Sequence, residues 1–164
     1  RACPGRSRIG AGTNCPSCLC VGIVIRVFVE GIPRPQGSKQ TFRRGNRIVL
    51  VESSKHLPEW RRRLVSALQE HTGDYTPPKP ARVTLTFLMP RPKAHYDTKG
   101  HVKKRFTHVA HTPRPDLDKL TRAVFDALTI AGIVEDDSHI TSAVIAKRYA
   151  DSPENTGVCI TVEA

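Results

Sequence analysis

The sequence predicts an α+β fold: a single domain in which two main helices pack on one mixed β-sheet. Three observations predict it. Apolar residues alternate at period two near both ends of the chain, in Ile25-Arg26-Val27-Phe28-Val29 and again over about 157–163. Two stretches between them, Trp60 to Leu68 and Leu117 to Ala131, carry apolar residues at helical spacing instead. The order that results is strand, hairpin, helix, strand, helix, strand, strand, which suits helices laid against one mixed sheet. The length, 164 residues, fits one domain. A chain of that size buries roughly two-thirds of the surface it exposes when unfolded.

Each element has its own justification. The alternation at 25–29 opens the fold. Gly31-Ile32-Pro33-Arg34-Pro35-Gln36-Gly37-Ser38-Lys39 follows as a stiff loop carrying basic charge. Gly45-Asn46 between Thr41-Phe42-Arg43-Arg44 and Arg47 to Val51 predicts a hairpin. Pro58-Glu59-Trp60 opens the first helix, because proline is tolerated in a first turn. Trp60, Leu64, Ala67 and Leu68 form its stripe, and Gly73 is placed to end it. Val83, Leu85 and Phe87 mark a strand over about 82–89. The stretch 90–113 holds six Lys or Arg, four His and one Asp, and reads as a long functional or mobile loop. The second helix, from Asp116 to Ala131, has the clearest stripe of the chain, Leu117, Leu120, Val124 and Leu128, with Gly132 as its cap. Strands over about 139–149 and 157–163 close the domain, and Cys159 reads as a small packing residue in the last of them.

Residues 1–23 read differently. Four of the five cysteines lie here, with Gly and Pro punctuation and no apolar period. The expectation is a disordered tail ahead of a domain at 24–164, one that a start at Val24 would leave out of the native protein. A zinc knot on Cys3, Cys15, Cys18 and Cys20 is disfavoured, since only Leu19 separates the last two. No secretory core is present in this segment. No apolar run approaches the ~20 residues of a membrane helix, so no membrane partner is expected.

The charge points to a partner. Lys and Arg number 26 against 15 Asp and Glu, a formal charge of +11. Such a surplus suits a polyanion, most often nucleic acid. Aromatics are only 5% of the chain, few for a protein that stacks single-stranded bases along a groove. The surplus is also lopsided: residues 1–115 hold 22 basic and 6 acidic side chains, residues 116–164 hold 4 and 9. Six of those nine acids fall between Asp116 and Asp137. A protein made only to grip phosphate gains nothing from carboxylates that repel it.

Taken singly, the acids have ordinary roles. Asp116 can cap the helix, and Asp118 can answer its dipole from the first turn. Asp136 and Asp137 can be turn residues. Arg122 lies one turn after Asp118 and one turn before Asp126, a spacing that also makes a plain ion ladder. Together they suggest more. Asp116 and Asp118 can converge only if Asp116 is extended, ahead of the helix. If Asp137 returns to meet them, the close carboxylates call for a hard cation, Mg²⁺ or Mn²⁺. Arg122 would then face the site and stabilise charge on a phosphate undergoing attack.

At these residues the chain resembles a known family. Pro113-Arg114-Pro115-Asp116-Leu117-Asp118-Lys119, Phe125-Asp126-Ala127-Leu128, Ala131-Gly132 and Glu135-Asp136-Asp137-Ser138-His139-Ile140 closely resemble the RusA-type Holliday-junction resolvases. The Gly31-to-Lys39 loop is similar to that family's N-terminal segment, and the resemblance covers about residues 25–163. It implies a RusA-like fold and a cytoplasmic, bacterial or phage-encoded homodimer. It implies Mg²⁺-dependent cutting of four-way DNA junctions by paired, symmetric nicks, in recombination and repair, with Mn²⁺ able to substitute. The family's three catalytic, metal-holding aspartates fall on Asp116, Asp118 and Asp137, with Asp136 a further candidate. Its catalytic helix lysine falls on Arg122, which keeps the charge but changes donor geometry. Its frequent Asn after the second Asp is Lys119 here.

The basic surplus then has candidates for DNA backbone contacts: Arg34, Lys39, Arg43, Arg44, Lys103, Lys104, Arg105, Arg114 and Lys119. His108 and His111 could bind metal, but a mobile polar loop is the simpler expectation. Two other functions compete: a junction binder that does not cut, and a small metal-binding regulator that uses the Cys-rich tail.

Overall fold

Strict alternation from Ala81 to Met89 makes this segment the strand on which the domain is built. In a computed structural model, Ala81, Val83, Leu85, Phe87 and Met89 are all buried on one face. The structure describes residues 23–37, 40–44, 47–51, 55–73 and 75–164, with side chains omitted at 23, 24, 40–44 and 47–51. The expected tail lies outside the described residues except for Ile23, which already pairs in the first strand.

The elements in chain order are β1 (Ile23–Glu30), β2 (Gln40–Arg44), β3 (Arg47–Val51), α1 (Leu57–Gln69), β4 (Ala81–Met89), α2 (Leu117–Ile130), β5 (Ile140–Tyr149) and β6 (Gly157–Glu163). Four strands form a mixed sheet in the order β1-β6-β4-β5. β6 is antiparallel to both neighbours, whereas β4 and β5 run parallel. A parallel pair needs a long crossover, and α2 supplies it. The hairpin forms as expected, but β2 and β3 make a separate two-stranded sheet. Gly157 pairs with Glu30 at the end of β1. A Cβ there would meet the Val29 carbonyl oxygen and the Phe28 ring, so only glycine fits.

The core lies between one sheet face and the two helices. Leu57, Trp60, Leu64 and Leu68 face inward from α1, and Leu120, Val124, Ala127 and Leu128 from α2. Inward residues of β1, β4 and β6 complete it. Each large side chain fully buried here contributes about 1.5–3 kcal/mol. The opposite sheet face is open, with Phe28 45% and Val144 61% exposed.

The helix ends refine the expectation. α1 stops at Gln69 with a right-handed Glu70 after it, so Gly73 does not cap it. α2 ends in a Schellman arrangement. Ile133 N–H donates to the Leu128 carbonyl at 2.9 Å and Gly132 N–H to that of Thr129 at 3.1 Å. Gly132 adopts the left-handed φ of 76° that this closure requires.

The stretch 90–113, expected as a long functional or mobile loop, carries local structure of its own and folds as an arm. Two 3-10 turns, Lys93–His95 and Lys104–Phe106, flank an antiparallel bridge between Tyr96 and Val102. His95 stacks on Phe106, with centroids 4.0 Å apart and planes 9° from parallel. Arg91 lies over the Tyr149 ring and donates to the Phe106 and Ala150 carbonyls at 2.7 and 3.2 Å. His111 is buried against Tyr149 rather than free in solvent, and His108 is exposed.

Candidate active site at the start of the crossover helix

Pro113-Arg114-Pro115 leads into α2 with an extended approach. Asp116 sits at the N-cap with φ −70° and ψ 145°, the extended conformation that lets it stand apart from the helix. Its carboxylate makes no capping hydrogen bond. Instead Lys119 Nζ pairs with Asp116 Oδ2 at 3.1 Å. Capping therefore does not consume this carboxylate.

The Asp118 side chain, in the first turn, is exposed, and its carboxylate makes no ion pair or hydrogen bond among the described residues. A cavity of about 420 Å³ is lined by Asp118, Arg122 and Asp137 together, with Thr121, Phe125 and Ile145 among the walls. Asp137 begins the 3-10 turn Asp137–His139 that leads into β5, so the chain does return to α2. Asp116 opens on a second cavity, of about 660 Å³, with Arg34, Arg114 and Lys119. Thus Asp118, Asp137 and Arg122 meet, whereas Asp116 lies next door. Among the described residues no three His, Cys, Asp or Glu side chains already form a metal-holding group.

Two further acids make hydrogen bonds within the fold. Asp136 accepts from Ser138 N–H at 2.8 Å, and its bonds with Ser138 hold its carboxyl below the usual value. That is the turn role. Asp126 accepts from Gln36 Nε2 at 2.8 Å and lies 3.7 Å from Arg61 Nη2. The ion ladder through Arg122 does not form, since neither Asp118 nor Asp126 pairs with it. Arg122 is exposed, with its guanidinium free of ion pairs among the described residues.

The basic candidates fall in two groups. Arg34, Arg114 and Lys119 surround the larger cavity. Lys103, Lys104 and Arg105 lie on the arm. There Lys103 Nζ donates to the Ala94 carbonyl at 3.0 Å, and Arg105 lies over the Phe106 ring. Lys39 lies outside the described residues. Arg43 and Arg44 are on β2, and their side chains also lie outside them.

Two residues to which the sequence reading gave no role of their own position the site. Lys147 on β5 reaches across and donates to the Pro113 and Pro115 carbonyls at 2.9 and 2.8 Å. It thereby ties down the segment just ahead of Asp116. Gln36 ties the first loop to both helices: its backbone N–H donates to the Lys119 carbonyl at 2.9 Å, while its side chain bridges Arg61 and Asp126. The one available signal for Lys147 was a cation following the apolar run Val144-Ile145-Ala146; Gln36 gave none.

A family model described as endodeoxyribonuclease RusA matches residues 30–163. No curated protein matches the chain.

Proposed function

The chain belongs to the RusA family of endodeoxyribonucleases, which resolve Holliday junctions, and on that premise we propose that it cuts four-way DNA junctions by paired, symmetric nicks in recombination and repair. The observation that carries this reading is the shared cavity of Asp118, Asp137 and Arg122 at the foot of α2.

The donor set fits a hard divalent cation, because Asp118 and Asp137 bring carboxylates to one cavity. Asp118 and Asp137 would hold it, with Asp116 as the third carboxylate and Mg²⁺ as the natural ion. Bound there, the ion supplies a Lewis acid that lowers the pKa of a water and takes up charge on phosphate oxygens. Arg122 offers a charged fork to the phosphate as negative charge accumulates during attack. Lys119 balances the Asp116 carboxylate until DNA arrives. Lys147 holds the segment ahead of Asp116 in register, and orientation of this kind is itself a large part of rate. The two basic groups grip backbone phosphates, fixing position without reading sequence.

Paired nicks need two sites. A four-way junction has approximate two-fold symmetry, which a two-fold dimer matches. The open sheet face with Phe28 and Val144 supports pairing with a second copy. Mass in solution checks this.

A synthetic four-way junction, with and without Mg²⁺, tests the proposal. Symmetric nicks are expected, and they should vanish in Asp118→Asn while junction binding survives. Binding with no nick at any level of Mg²⁺ or Mn²⁺ would leave a binder without catalysis.

A further inference from the structure

The larger cavity has chemistry that phosphate contacts do not explain. Six prolines line it, and its wall is mainly apolar, with Met89 and Tyr149 among the lining residues. Proline has no backbone N–H, so this wall is poor in donors for an anion. The cations, Arg34, Arg114 and Lys119, belong to the same cavity, beside Asp116. An apolar wall combined with these cations suits a nucleotide whose flat base enters while its phosphates stay with the charges.

We propose that this cavity receives one unstacked nucleobase of the strand to be cut. The proposal rests on the junction-cutting reading and extends it from backbone to base. Continuity supports it, since Asp116 lines the cavity and begins the catalytic segment. A base held there draws its own phosphates toward the neighbouring carboxylates. A branch point is also where taking a base out of the stack costs least, because pairing is already disturbed. Selection for branched over plain duplex DNA follows: in intact duplex the same movement must first break a stacked pair.

The test uses junctions carrying 2-aminopurine, a base whose fluorescence rises on unstacking, placed in turn at each nucleotide around the crossover. Binding is followed in EDTA. The full chain is expected to raise the signal several-fold at one position in each of two opposed strands. Ile32→Trp places a bulky ring in the cavity and should remove that rise. It should also weaken binding of the intact junction about tenfold, yet leave binding of a junction abasic at that position within about twofold. The abasic junction thus serves as the folding control. Junction binding with silent 2-aminopurine at every position would overturn the base site alone. Equal weakening on intact and abasic junctions would overturn it as well. Failure to bind any junction would overturn the junction reading itself, and the base site with it.

Discussion

The two ends of α2 are built on opposite principles. At its C-terminal end, Leu128 and Thr129 carbonyls are capped by Ile133 and Gly132, and Leu128 and Ile133 are fully buried. At the N-terminal end, Asp116 does not cap, Asp118 has no partner among the described residues and Arg122 stands exposed. A helix that were only scaffold would gain about 1 kcal/mol from a capping side chain at its start. The contrast sets a closed, buried end against an open, charged one along a single helix of 14 residues.

The comparison can be broken from either end. The largest effect is expected at the open end. Asp118→Asn should lower junction cleavage by at least about a thousandfold, the upper range for losing one group that stabilises reaction charge. Its melting temperature should stay within a degree or two, as calorimetry can check. Leu128→Ala should do the reverse. It leaves a hole in the core costing about 2–5 kcal/mol in urea unfolding, while cleavage per folded molecule is kept. Lys147→Met acts between these extremes. Losing its two carbonyl bonds should cut turnover about tenfold with little change in junction affinity. Lys147→Arg, which retains charge and donors, should restore part of the rate. A large fall in affinity instead would make Lys147 a DNA contact.

Gly132→Ala sharpens the closed end. An alanine at positive φ costs about 1 kcal/mol, visible as a lower denaturation midpoint with unchanged cleavage. The smallest effect concerns pH. Burial, then the Lys147 ammonium, holds the His111 imidazole below its ordinary value. As pH falls below about 6.5, the unfolded chain takes up a proton that the folded one resists. Stability contributed by neutral His111 is therefore complete above that value and lost as pH descends toward the lower folded one. In His111→Phe, the drop in melting temperature between about pH 7.5 and 5.5 should shrink.

The sequence was most legible where a repeat carried the information. Val83, Leu85 and Phe87 announced β4, and Leu120, Val124 and Leu128 announced α2, because period two and period 3.6 are imposed by the backbone itself. The extended Asp116 was legible only as a condition for its meeting Asp118; the backbone meets that condition, yet Asp116 opens on the neighbouring cavity. Bonds between side chain and backbone have no period. Nothing in the sequence pairs Lys147 with Pro113 and Pro115, or Arg91 with Phe106, so the clamp and the folded arm went unseen. Strand patterning gives a face but no neighbour, which is why the separation of β2 and β3 from the main sheet was not foreseen. The split between the two cavities depends on the path of Pro113-Arg114-Pro115, and spacing does not encode a path.

The placement of β6 has a consequence for biosynthesis. Although last in sequence among the strands, it lies inside the sheet, between β1 and β4. A nascent chain can form α1 or the β2–β3 hairpin as it leaves the ribosome, but β1 has no sheet partner until residues 157–163 follow. At roughly 5–20 residues per second, β1 waits about 6 to 27 seconds for that partner. The apolar face of β1 must stay out of trouble for that interval, and any product that stops short of β6 leaves it without a partner for good.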